Sequence, residues 1–186
     1  MKIAISGKMG SGKSFVAEKI VEEFGYYKTA LAAKVKELAG ELFDMKYKNR
    51  GLLINFATKM REIDSYVWIN CVLRETKDIS DNIVLDDLRL QNEYETLKSK
   101  GWFLIKIDIP EEIRLHRLVE KYGTKFVEHQ NHFQSFTEND VVTMNDNCFD
   151  LVIKNDDDMT ELFEKIRTET SNLELEKNFK FGKTYL

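Results

Sequence analysis

The stretch Lys2-Ile3-Ala4-Ile5-Ser6-Gly7-Lys8-Met9-Gly10-Ser11-Gly12-Lys13-Ser14-Phe15 decides how the chain is read. Its first five residues form an apolar run of strand character, and Gly7 to Ser14 fits G-x-x-x-x-G-K-[ST], the pattern of a loop that holds a polyphosphate. The chemistry explains the spacing. Backbone N–H groups must ring the anion, and glycines let the loop curl against it with no Cβ in the way. Lys13 then reaches the β- and γ-phosphates and the Ser14 hydroxyl is offered to Mg²⁺. The helix opening near Lys13 turns its positive end to the anion. Beyond Phe15, the residues Val16, Ala17, Ile20, Val21 and Phe24 recur at helical spacing, so the loop joins a strand to a helix. The expected binding set is Gly7, Lys8, Met9, Gly10, Ser11, Gly12, Lys13, Ser14 and Phe15, with a nucleoside polyphosphate and Mg²⁺ as ligands.

Outward from this stretch, strands alternate with helices. Gly25 stops the first helix and Tyr26 to Thr29 reads as a second strand. Ala30–Phe43, Leu52–Met60 and Ser65–Thr76 are helical by spacing, with Lys46 to Arg50 a polar bridge. Ile83-Val84-Leu85 is a third strand ending in Asp86-Asp87-Leu88-Arg89, followed by a helix from Glu93 to Lys100. Trp102–Ile109 is the fourth strand and Glu111–Tyr122 a helix. Gly123–Ser135 is irregular, and a short helix follows from Thr137 to Met144. Cys148–Ile153 is the fifth strand and Met159 to about Glu176 the last helix. Such alternation calls for a parallel sheet covered on both faces, with ligands at the carboxyl ends of its strands. The expectation is one domain over 1–186, with a flap over about 30–78, a lid over about 114–140, and a C-terminal helix and tail over 159–186.

Composition removes several function classes. At 42% hydrophobic and 32% charged, the chain is globular rather than disordered. A net charge of −4 argues against a protein whose main task is gripping nucleic-acid backbone. No apolar run approaches the roughly 20 residues of a membrane span. Two cysteines, Cys71 and Cys148, and an opening on a charged strand instead of a signal sequence point to a reducing, cytoplasmic compartment. Both cysteines sit among apolar neighbours and are expected as buried free thiols. His116, His129 and His132 have no matching cysteine or carboxylate cluster and are not read as a metal site.

Phosphoryl transfer asks a protein to position groups and neutralise charge, so cations beyond Lys13 matter most. Arg61 lies in the flap, Arg89 follows the acidic strand end, and Arg114, Arg117, Lys121 and Lys125 crowd into or beside the irregular segment. Asp87 or Asp86 can serve Mg²⁺ or the acceptor's proton, and strand alternation does not separate them. Tyr66 and Trp68 are aromatics that could stack on a base or belong to the core.

The order of phosphate loop, helical flap, acidic strand end and basic lid resembles the nucleoside monophosphate kinase group. Asp87, Arg89, Asn92 and Glu93 reproduce the Asp-x-Arg-x-x-Asn-Glu signature of the phage and viral deoxynucleoside monophosphate kinases. The resemblance extends to about Arg167. It implies a three-layer α/β P-loop NTPase fold, with a five-stranded parallel sheet flanked by helices, a helical flap for the monophosphate and a short lid. It further implies transfer of the γ-phosphoryl of ATP to a (deoxy)nucleoside monophosphate with Mg²⁺, on a small-molecule nucleotide partner; the sequence is silent on oligomeric state, a homodimer being one option. On that resemblance Lys13, Asp87, Arg89, Arg117 and Lys121 are the catalytic set. Lys36, Arg61, Trp68, Asp87, Arg89 and Glu93 hold the acceptor, Ser14 and Asp87 hold the metal, and Arg117, Asn155 and Asp156 surround the donor adenine. Lys121 stands where the group has a second lid arginine, which keeps the charge and loses the bidentate fork. Ala32-Ala33 replaces a more polar pair. A small-molecule kinase resembling dephospho-coenzyme A kinase, or a P-loop protein that binds nucleotide without turnover, are the alternatives.

Overall fold

A computed structural model describes residues 1–79, 82–123 and 145–154, and beyond these the helical residues Glu164, Arg167, Thr168, Ser171 and Asn172. Strand β1 (Lys2–Ser6) is followed by α1 (Lys13–Phe24), β2 (Tyr27–Thr29), α2 (Leu31–Phe43), α3 (Arg50–Ile63) and α4 (Val67–Glu75). Then come β3 (Ile83–Leu88), α5 (Gln91–Ser99), β4 (Phe103–Asp108), α6 (Glu111–Tyr122), one turn of 3₁₀ helix (Asp146–Cys148) and β5 (Leu151–Lys154). The five strands form one parallel sheet in the order β2-β3-β1-β4-β5. This is the three-layer P-loop fold that the sequence implied.

The sheet's central strand explains where the loop sits. Ile3, Ala4 and Ile5 are completely buried, because β1 lies between β3 and β4 and is covered on both faces. Side chains alternate between two layers. Ile3, Ile5, Val84, Ile105 and Ile107 pack with Val16, Ala17 and Ile20 of α1. Ala4, Ile83, Leu85 and Leu104 pack with Leu31 and Val35 of α2, Ala57 of α3, Trp68 of α4 and Leu97 of α5. Full burial of each such Leu or Ile is worth roughly 1.5–3 kcal/mol, so the phosphate loop hangs from the most firmly anchored strand.

Several boundaries differ from the sequence reading, for local reasons. Helix α3 starts at Arg50 rather than Leu52, because the Asn49 side chain accepts the Leu52 N–H at 3.0 Å and caps the helix. The fifth strand starts at Leu151 rather than Cys148, since Asn145 Oδ1 accepts the Asn147 N–H at 3.0 Å and turns residues 146–148 into 3₁₀ helix. Cys71 and Cys148 are free, as expected, but half-buried rather than buried. Lys125, His129, His132, Asn155, Asp156, the expected helix over 137–144 and the tail over 178–186 lie outside the described residues, as do most of the lid and of the last helix.

Candidate functional site

The loop takes the shape its glycines allow. Gly7, Gly10 and Gly12 have φ of 148°, 89° and 95°, a region side chains disfavour. A Cβ on Gly7 would stand 2.5 Å from the Ile107 carbonyl oxygen, and one on Gly10 3.0 Å from Leu118 Cγ. Gly12 is the N-cap of α1 and supplies no side-chain cap, which leaves the helix start to an anion. Lys13 is buried and donates to the carbonyls of Gly7 at 2.6 Å and Lys8 at 2.8 Å. Burial, with Arg89 nearby, holds its ammonium pKa well below the ordinary value, and Asp86 and then Asp87 oppose that shift. A bound phosphate would supply the counter-charge this cation needs.

Met9, Gly10, Gly12, Lys13, Ser14 and Phe15 form one wall of a cleft of about 1080 Å³. Gly7, Lys8 and Ser11 do not line it. Lys8 turns outward to Glu111 at 3.4 Å. The other walls come from α2 and α3 with the segments beside them, from the end of β3 with the start of α5, and from Arg117, Leu118, Lys121 and Tyr122 of α6. Basic residues outnumber acidic ones on the wall by eight to four, in a chain of net charge −4. The cleft is therefore a positive pole suited to several phosphates.

The two aspartates of β3 divide their work. The register shifts between the Ala4–Leu85 and Ser6–Leu88 pairs, a bulge that spans Asp86 and Asp87, and the two acids continue the alternation of Val84 and Leu85, which face different layers. Asp86, 8% exposed, turns to the α1 side, where it pairs with Lys28 at 3.2 Å; Lys28 also reaches Glu18 of α1. Asp87 turns to α2, and its two oxygens accept the N–H groups of Leu31 at 2.7 Å and Ala32 at 2.8 Å, capping that helix. Burial raises the Asp87 pKa, against those two N–H bonds. Both aspartates line the cleft, Asp87 with its oxygens engaged by the amides of α2 and Asp86 with Lys28. Ser14, exposed at the start of α1, and Asp86 offer the hard oxygens Mg²⁺ takes. That ion keeps waters and phosphate ligands rather than a full protein cage, so the donor set fits.

The Asp-x-Arg-x-x-Asn-Glu signature has a structural logic. Arg89 lines the cleft, its pKa lowered by burial against the pull of Asp87. Glu93, 2% exposed, bonds Arg61 Nη2 of α3 at 3.2 Å through one oxygen. Its other oxygen accepts the Arg89 N–H at 3.2 Å and the Leu90 N–H at 3.0 Å. Burial raises the Glu93 pKa and Arg61 opposes it. Asn92 donates to the Ser65 carbonyl at 2.8 Å and so ties α5 to the turn before α4. Asp87 thus ties α2 to the end of β3, Asn92 and Glu93 tie α5 to the turn before α4 and to α3, and Glu93 aims an arginine.

Lys36, Arg61, Asp87, Arg89 and Glu93 of the expected acceptor set share this cleft; Trp68 does not. Its ring is 1% exposed, and its indole N–H donates to the Ala57 carbonyl at 3.2 Å. That makes it a core residue holding α4 against α3, because a large aromatic on the inner face of α4 is the bulk that fills this layer.

A family model described as an AAA domain matches residues 3–132, well over half of the chain. The chain belongs to that AAA-domain family. The AAA-domain chain is 32% identical over 127 residues to a UPF0200 protein of Aeropyrum pernix, and spans 64% of that relative's length. The alignment covers 64% of this chain. It is 25% identical over 146 residues to a putative deoxynucleotide monophosphate kinase of Acanthamoeba polyphaga mimivirus, covering 58% of this chain and 74% of that one. Its fold is similar to that of shikimate kinase from Aquifex aeolicus, with a TM-score of 0.53 and 18% identity over 94% of this chain and 99% of that one.

Sequence reasoning missed Arg50 of this AAA-domain site and counted Arg114 among the cations of the lid. Arg114, 7% exposed, donates from Nη1 to the Met9 carbonyl at 3.1 Å and from Nε to Glu111 at 2.9 Å, so it braces the loop from behind instead of facing ligand. Arg114 in turn holds the Glu111 carboxyl below its ordinary pKa. Arg50, the first residue of α3, lines the cleft and donates from Nη2 to Met9 Sδ at 2.9 Å. Its signal was Asn49, a capping residue that places Arg50 at a helix start and not in a connecting bridge. Among the described residues no helix is long and apolar enough to cross a membrane.

Proposed function

We propose that the protein transfers the γ-phosphoryl group of ATP to a nucleoside monophosphate, with deoxynucleotides as the acceptor class. The observation that carries this reading is a single cleft that brings Lys13 of the phosphate loop together with Arg61 of α3 and Arg89 at the end of β3. Lys13 with the loop suits a triphosphate, and the two arginines suit the phosphate of a monophosphate. The mimivirus relative's name supports the choice of acceptor.

In this reading an oxygen of the acceptor phosphate attacks the γ-phosphorus. The bond to the β,γ-bridging oxygen breaks, ADP leaves, and the acceptor becomes a diphosphate. Lys13 and the amides at the start of α1 hold the donor phosphates, and Arg61 and Arg89 hold the acceptor phosphate in line. Glu93 fixes Arg61, and Asp87 fixes the flap through α2. Arg117 and Lys121 of α6 face the donor. Mg²⁺, held by Ser14 and Asp86, would neutralise charge on the β- and γ-oxygens. The test is ADP formation from Mg·ATP in the presence of each common ribo- and deoxyribonucleoside monophosphate. Monophosphate-dependent ADP release with matching diphosphate is the expected result, and its absence across the panel refutes the reading.

A further inference from the structure

Arg50 is carried by the flap yet touches the phosphate loop. It opens α3, whose first turn is capped by Asn49, and its guanidinium crosses to Met9, 41 residues away in sequence, at 2.9 Å from the sulfur. Met9 is itself fixed, its carbonyl taken by Arg114. A thioether sulfur is a weak, neutral acceptor, whereas a guanidinium has five donors and full charge. The contact is therefore one that a phosphate oxygen would displace. Arg50 lines the same cleft as Lys13 and Arg89. Its charge also helps to depress the Arg89 pKa, so the two guanidinium groups lie within electrostatic reach of one another.

Resting on the proposed kinase reading, we infer that Arg50 is a catalytic residue: it leaves Met9 for the γ-phosphoryl group and stabilises that group during transfer. The step moves no proton and no electrons. As the bond from γ-phosphorus to the β,γ-bridging oxygen breaks and the bond to the acceptor oxygen forms, charge spreads over the equatorial oxygens, and Arg50 donates to those. Because Arg50 rides on the flap, the contact forms only with the flap in place, which links acceptor binding to the chemistry.

The test compares nucleotides that differ only in the γ-group. Calorimetric titration of the full chain, with Mg²⁺, uses the β,γ-imido analogue of ATP and, separately, ADP. Arg50→Met keeps the stem and removes the charge; it is expected to weaken the analogue roughly 10- to 100-fold while ADP stays within about twofold. Arg50→Lys restores charge without the fork and should recover part of the loss; it also serves as the second variant if Arg50→Met does not fold. Equal weakening of both nucleotides marks a structural latch and overturns the inference, as does no weakening of either, or a wild type that binds both equally. No acceptor is needed, so the result stands even if no monophosphate is phosphorylated. Where turnover is found, Arg50→Met should lower kcat by roughly 100-fold or more, and unchanged kcat would overturn Arg50's role while leaving the kinase reading intact.

Discussion

Lys13→Met should remove nucleotide binding and yet leave the ligand-free protein no less stable, or somewhat more stable. Lys13 is 7% exposed, and burying a charge of that kind costs several kcal/mol. Against this stand two charge-assisted hydrogen bonds, to the Gly7 and Lys8 carbonyls, of about 1.5–3 kcal/mol each. The terms nearly cancel, and a methionine of similar length fills the space without the desolvation cost. The expected change in the ligand-free protein is about 0–2 kcal/mol of stabilisation, or up to ~8 °C in Tm for a chain of this size. With Mg·ATP at about 100 times Kd, the wild type should gain about 2.7 kcal/mol, and the variant almost none. A pH series sharpens the test. The folded-state pKa of Lys13 is lowered from 10.5, so between that lowered value and 10.5 the unfolded chain binds more protons than the folded one. Wild-type stability should therefore rise with pH through that window, relative to Lys13→Met. Differential scanning calorimetry with and without Mg·ATP reads all three quantities. A ligand-free Tm that falls by several degrees in the variant would refute the reasoning, since it would make Lys13 a net stabiliser of the empty loop.

Other consequences follow from the same geometry. Glu93→Gln should leave secondary structure intact by circular dichroism and raise the acceptor KM by roughly 3- to 30-fold, with the ATP KM unchanged, because the amide cannot serve Arg61 and both backbone N–H groups together. In an Arg61→Ala background the same change should add little, and multiplying effects would argue against the pairing. Asp86→Asn should raise the Mg²⁺ concentration needed for half-maximal activity. Asp87→Asn should instead cost about 0.5–2 kcal/mol of stability through the α2 cap, read by urea denaturation; the reverse pattern would return the metal to Asp87. Trp68→Ala should destabilise by about 3–5 kcal/mol, and a selective loss of acceptor binding with unchanged Tm would show that the ring reads the base after all.

The loop, the strand-helix alternation and the parallel sheet were legible in the sequence because each rests on local order. Gly7, Gly12, Lys13 and Ser14 hold their spacing whatever lies around them, and runs such as Ile83-Val84-Leu85 are apolar because both their faces are covered. The Asp-x-Arg-x-x-Asn-Glu residues were visible as a group, but not the separate duty of each. Tertiary structure decided those duties. Strand alternation puts Asp86 and Asp87 on opposite faces of β3, but nothing in the chain's own order says which face α1 covers and which one meets the start of α2. Arg61 meets Glu93 across 32 positions, and Arg50 meets Met9 across 41. Such pairings depend on how helices pack on the sheet, and the chain's own order carries no local trace of them. Trp68 shows the same limit from the other side, since helical spacing placed it on a face, and only the packing of α3 over α4 made that face the interior.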